Sequence, residues 1–127
     1  MYPFLALAGA LGLLSVGFGA FSEHALQPRV DAESFRYLMT AIRYNQVHAV
    51  VLLALSLGLA APIASDTWRR LRLAAWLMFA GTVLFSVSIY LSVMLGIPAL
   101  TYFTPVGGVT LMLAWAAIIW AGWSAAR

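Results

Sequence analysis

The chain has 127 residues, 64% of them hydrophobic and 9% charged. A soluble domain carries about 25% charged residues, so this chain cannot coat a globular surface for water, whereas a surface facing lipid needs no such coat. Seven arginines and no lysine stand against four acids, for a net charge of +3. No basic patch is interleaved with exposed aromatics, which argues against nucleic acid. The absence of cysteine removes disulfides, thiolate nucleophiles, iron–sulfur ligation and cysteine zinc sites.

A spanning helix needs about 20 apolar residues, and four segments qualify. The expected architecture is all-α: a single four-helix transmembrane domain over 1–127, with helices at about 2–22, 32–64, 67–96 and 105–126. Strands are excluded because open sheet edges cannot be satisfied in lipid.

The first segment, Tyr2 to Phe21, has no charged side chain. It lacks a positive n-region and outruns the usual signal-peptide core of about 7–15 residues, so it reads as a retained helix. Ala8, Gly12, Ser15, Gly19 and Ser22 recur at alternating spacings of four and three. Small residues on one face let membrane helices pack closely, and this face is expected to pack within the subunit.

Pro28 interrupts the first connection, and Asp31 can cap a helix opening at Ala32, with Glu33 favourable in its first turn. That helix is expected to run unbroken into the second span. Its first turns carry Phe35, Leu38, Met39 and Ile42 at helical spacing, with Arg36 and Arg43 on another side. This is an amphipathic stretch for the interface or a neighbouring helix. Pro62 helps close the second span, and Ser65 or Asp66 can cap the third. Gly96 and Pro98 end the third, and Thr104 precedes Pro105 as a capping hydroxyl for the fourth.

Arg69, Arg70, Arg72 and Arg127 flank one membrane face, and Arg29, Arg36 and Arg43 the other. Four against three favours both termini in the cytoplasm. Trp68, Trp120 and Trp123 sit on that same inner side as interfacial aromatics.

Three stretches carry a resemblance to a known family. They are Gly19-Ala20-Phe21-Ser22-Glu23-His24-Ala25-Leu26, Tyr44-Asn45-Gln46-Val47-His48-Ala49, and the run Gly81 to Tyr90 followed by Thr104-Pro105-Val106-Gly107-Gly108 and Trp115. Together they resemble the domain-of-unknown-function 423 family, the small four-helix membrane proteins like YgdD and transmembrane protein 256. The resemblance implies four transmembrane helices and brings no activity with it. The family usually has glycine-alanine where this chain has Ser22-Glu23, so a carboxylate beside His24 makes this member's site more polar.

Counting crossings puts Glu23, His24, Arg43, Tyr44, Asn45, His48, Tyr90 and Ser92 within a turn or two of one membrane face. Tyr37, Ala41, Tyr44 and His48 share a helix face by spacing. His48 falls about one turn inside the apolar run, where an ionisable group faces protein or a water-filled cavity. It is either interhelical glue or a ligand- or proton-handling group. Glu23 and His24 read as an interfacial pair, with Glu23 meeting an arginine of the first connection. In the alternative, His24 pairs with His48 across the helices. Such a pair could hold a metal or the two axial sites of a haem, but two histidines are too few for a closed zinc site and a haem needs a wider cavity than four short helices offer, so no metal and no cofactor is expected.

Thr82, Ser86 and Tyr90 lie along one face of the third segment, where hydroxyls usually bond the i−4 carbonyl or a neighbour. Gly107-Gly108 lacks the basic residue and spacing of a phosphate loop and reads as a close-packing point.

The candidate ligand-binding residues are therefore Glu23, His24, Tyr44, Asn45, His48 and Tyr90, converging in one polar pocket, and no catalytic residue is assigned. The expected function is non-enzymatic: an accessory subunit or small homo-oligomer of the bacterial inner (plasma) membrane that binds a protein or lipid partner. The alternatives are a small transporter, channel or lipid-handling protein, and lastly a membrane enzyme using Glu23, His24 or His48.

Overall fold

A computed structural model describes residues 3–126. Among the described residues, four helices are long and apolar enough to cross a membrane: α1 over Pro3–Leu26, α2 over Ala32–Leu59, α3 over Ser65–Leu95, and α4 over Phe103–Ala125, which follows a 3₁₀ turn at Pro98–Tyr102. Two helices contain a wider π turn, Ser22–Leu26 at the end of α1 and Val83–Val87 inside α3.

The helix ends follow local chemistry, with some corrections. The Asp31 carboxylate accepts from the Ser34 amide at 2.7 Å, the expected cap of α2. That amide bond is the main cause holding the Asp31 carboxyl below its ordinary pKa. Gly96 takes a left-handed φ of 64°, and the Ile97 amide donates back to the Ser92 carbonyl at 3.1 Å, closing α3 as its sequence predicts. α2 stops at Leu59 rather than 64, because the residue before Pro62 is biased away from helix. Ser65 is already helical and α3 has no side-chain cap; Asp66 instead holds Arg69 at 2.6 Å. Thr104 does not cap α4, which opens at Phe103 on the 3₁₀ turn; its hydroxyl meets that of Ser88 at 2.8 Å.

α1 packs on α2, α2 on α3, and α3 on α4, while α1 and α4 do not pack on each other among the described residues. The deeper core is built from Phe4, Ala8, Leu11, Leu52, Ala74, Ala75, Met78, Leu111, Ala114 and Ala117. Its alanines allow short interaxial distances, which supply packing energy where lipid offers no hydrophobic drive. A second cluster (Leu26, Leu38, Ala41, Ile42, Ile89, Tyr90) lies towards the first connection. There the amphipathic start of α2 buries Leu38 and Ile42 against its neighbours and leaves Arg36 and Arg43 exposed.

The tightest crossing joins α3 and α4. A Cβ at Gly107 would fall on the Phe85 amide nitrogen and 2.7 Å from the Leu84 carbonyl carbon. Only glycine fits there, and the contact falls on the π turn of α3. The small face of α1 behaves differently along its length. Ala8, Ser15 and Ser22 are buried against neighbours, as the packing reading expects, but Gly9 and Gly12 have nothing within 4 Å of an added Cβ.

Candidate functional site

His48 lies on the flank of α2 that faces α4, and it is buried. Its Nδ1 is 2.6 Å from the Tyr44 carbonyl, which can only accept. Its Nε2 is 3.4 Å from Trp115 Nε1, whose N–H can only donate. The two partners therefore fix the tautomer: Nδ1 carries the proton and Nε2 accepts. Both ring nitrogens are engaged, so binding a metal or haem through Nε2 would displace the indole.

Around this pair runs a groove of about 490 Å³ lined by Arg43, Tyr44, Val47, His48, Phe85, Gly108, Leu111, Met112 and Trp115. Tyr44 stacks on Phe85 with ring centroids 4.3 Å apart, and the residue is 40% exposed. The walls are aromatic and aliphatic, and Arg43 is the one charged residue in the lining.

Asn45 and Tyr90 are not in that groove. They are fully buried between α2 and α3, where the Asn45 Nδ2 donates to the Tyr90 hydroxyl at 3.2 Å. Phe18 of α1 stacks on Tyr90 with centroids 4.0 Å apart. The Ser86 hydroxyl donates across to the Ala41 carbonyl at 2.8 Å. Asn45 Oδ1 and Ser22 Oγ are buried without a partner. Turning the amide over would pair Oδ1 with Tyr90 and orphan the nitrogen instead, so one end of Asn45 is unsatisfied either way.

Glu23 and His24 take a third position. Within the π turn Ser22 and Leu26 are buried, while Glu23 and His24 are exposed and face outward. They line a groove of about 560 Å³ between α1 and α2, together with Val16, Gly19, Ala20, Met39, Ile42, Arg43 and Gln46. Glu23 makes no ion pair among the described residues; the two pairs there are Arg36–Glu33 at 3.9 Å and Arg69–Asp66 at 2.6 Å.

The six candidates thus fall in three places rather than in one pocket: Tyr44 and His48 on the α4 side of α2, Asn45 and Tyr90 in the core, Glu23 and His24 on the α1 side. The physical reason is that α2 is sandwiched, and Arg43 alone borders both grooves. His24 does not pair with His48, Glu23 does not meet an arginine of the first connection, and Tyr37 bonds Glu33 at 2.7 Å on the outside instead of sharing a buried face with Ala41 and His48. No group of three histidine, aspartate or glutamate side chains comes together among the described residues. Trp115 was not among the site candidates. The signal was available: an indole N–H in the middle of a span needs an acceptor. The opposite membrane face carries arginine and tryptophan, with Arg70 over the Trp120 ring at 4.5 Å and Arg72 over Trp68 at 5.3 Å.

Residues 18–108 match the model of a family described as protein of unknown function (DUF423). The chain is similar to the UPF0382 membrane protein YwdK of Bacillus subtilis, 35% identical over 121 residues that cover 94% of each chain. It is also similar to the UPF0382 membrane protein SAB0533 of Staphylococcus aureus, 32% identical with 94% and 93% covered. With the UPF0382 inner membrane protein YgdD of Escherichia coli it shares 30% identity, over 91% of this chain and 85% of that one. No solved structure matches. The match spans the Glu23-His24, Asn45–His48 and Gly107 stretches whose geometry is described above, and with four apolar spanning helices it makes this chain a multi-pass membrane protein belonging to the DUF423 family.

Proposed function

We propose that the protein works by binding rather than by catalysis, as a lipid-binding accessory protein of the membrane that seats the apolar part of an anionic amphiphile in the groove between α2 and α4. The observation that supports this reading most is the groove itself: about 490 Å³ of aromatic and aliphatic wall with Arg43 as its one charged residue. The His48 ring, already engaged on both nitrogens, serves there as a rigid polar wall, and no nucleophile–base pair lines the groove. An arginine suits phosphate or carboxylate recognition at the membrane boundary.

The test is native mass spectrometry after gentle detergent extraction. Val47 is 50% exposed and lines the groove, so Val47→Trp fills it without disturbing the core. The wild type should carry a co-purifying anionic amphiphile and Val47→Trp should lose most of it. A wild-type particle free of anionic lipid, or one whose bound anionic lipid survives Val47→Trp unchanged, would overturn the reading.

A further inference from the structure

We propose that the other flank of α2 is a separate site for a zwitterionic phospholipid of the ethanolamine class, with its headgroup between α1 and α2 and an acyl chain running down the small-residue face of α1. Two adjoining grooves carry the argument. The outer one, about 560 Å³, contains Glu23, His24, Arg43 and Gln46. The inner one, about 420 Å³, is lined by Leu5, Gly9, Gly12, Ala49, Val50 and Leu53 among others. They share Val16 and Gln46, so they form one continuous channel along the α1–α2 seam.

The order of polar groups along the channel matches that lipid. α1 and α2 run antiparallel, and Gly19 is level with Ile42, since a Cβ on it would sit 3.9 Å from the Ile42 side chain. At about 1.5 Å per residue, Glu23 lies roughly 7 Å nearer the membrane surface than Arg43, and Gln46 lies roughly 4–5 Å deeper still. From outside inward the chain thus presents a carboxylate, a guanidinium and an amide. An ethanolamine phospholipid presents an ammonium, a phosphate and ester carbonyls in the same order. Glu23 and Arg43 are exposed and make no ion pair with each other or with any described residue. A primary ammonium donates charge-assisted hydrogen bonds to a carboxylate, and phosphate accepts the arginine fork. Below them, Gly9 and Gly12 have nothing within 4 Å of a Cβ. Their missing side chains leave room for a chain to lie against the helix.

This site shares Arg43 with the α2–α4 groove, so the diagnostic variants avoid that residue. Purified protein in nanodiscs of phosphatidylethanolamine, phosphatidylglycerol and phosphatidylcholine in equal parts is released and its retained lipids are weighed by native mass spectrometry. With the α2–α4 groove filled by Val47→Trp, the protein should retain phosphatidylethanolamine over both others. In that background Glu23→Gln should cut the preference roughly tenfold, the weight of one charge-assisted hydrogen bond, and Gly12→Leu should remove the bound phosphatidylethanolamine. A preference for phosphatidylglycerol, a phosphatidylethanolamine preference that survives Glu23→Gln, or a dimer whose second copy fills the seam would overturn this inference without touching the α2–α4 reading. Helical content by circular dichroism, with Glu23→Asp as a conservative companion, separates loss of the site from loss of the fold.

Discussion

Gly107→Ala should be among the most damaging single-methyl changes available in this chain. The new Cβ would sit on the Phe85 amide nitrogen and 2.7 Å from the Leu84 carbonyl carbon. Both are backbone atoms of α3, so no side chain can swing aside. Carbon contacts relax at about 3.5–4.0 Å, so α3 and α4 must separate by roughly 1 Å where they cross. Overpacking of that kind costs about 1–3 kcal/mol. Better helix propensity returns up to about 1 kcal/mol of it, leaving a net loss of up to about 2 kcal/mol. Gly12→Ala is the matched control: nothing lies within 4 Å, so it should be neutral or stabilising by up to about 1 kcal/mol. Thermal unfolding in a mild detergent, followed by near-ultraviolet circular dichroism of the tryptophans, reads both. Equal midpoints for the two variants would refute the close crossing.

Three further outcomes follow from the same contacts. Trp115→Phe removes the donor to His48 Nε2 across a 3.4 Å bond, so unfolding in detergent should show a loss of about 0.6 kcal/mol; a loss above about 2 kcal/mol would mean that the indole does more than bond His48. Asn45→Ala leaves the buried Tyr90 hydroxyl without its partner and opens a void, so it should cost about 2–3 kcal/mol, while the Tyr90→Phe/Asn45→Leu double variant should recover at least half of that in the same assay. At Asp31 the folded carboxyl titrates below its ordinary range because the Ser34 amide donates to it. Its contribution is therefore fully present above the unfolded value and lost as pH falls through the folded one. Helix content near the first connection should drop in strong acid, and Asp31→Asn should flatten that dependence; an unchanged acid profile in the variant would refute the assignment.

How much of this was legible in the sequence depended on the period of the helix. The spans, the Asp31 cap, the Gly96–Pro98 stop and the buried Leu38–Ile42 stripe follow from spacing and single-residue chemistry, and the structure has them. The misses concern facing rather than depth. Ser22 and Leu26, four apart, are both buried, so Glu23 and His24 face outward on the α1 side, away from Tyr44 and His48. Likewise, crossing counts place residues at one membrane face but say nothing about which flank of α2 they occupy. Asn45 and His48 are three apart, yet one meets α3 and the other α4. The Phe85–Gly107 crossing was readable only as a small-residue point; its partner depended on how α4 returns past the π turn of α3.

The proposed occupant of the α2–α4 groove is a membrane amphiphile. The most direct measurement is photo-crosslinking with a phospholipid carrying a diazirine near the end of its acyl chain, with adducts mapped by peptide mass spectrometry. Adducts should concentrate at Val47, Phe85, Leu111 and Met112, and Val47→Trp should suppress them there. Adducts spread evenly over all outward residues of α4, including Val106 and Leu113 on its other faces, would contradict that occupancy.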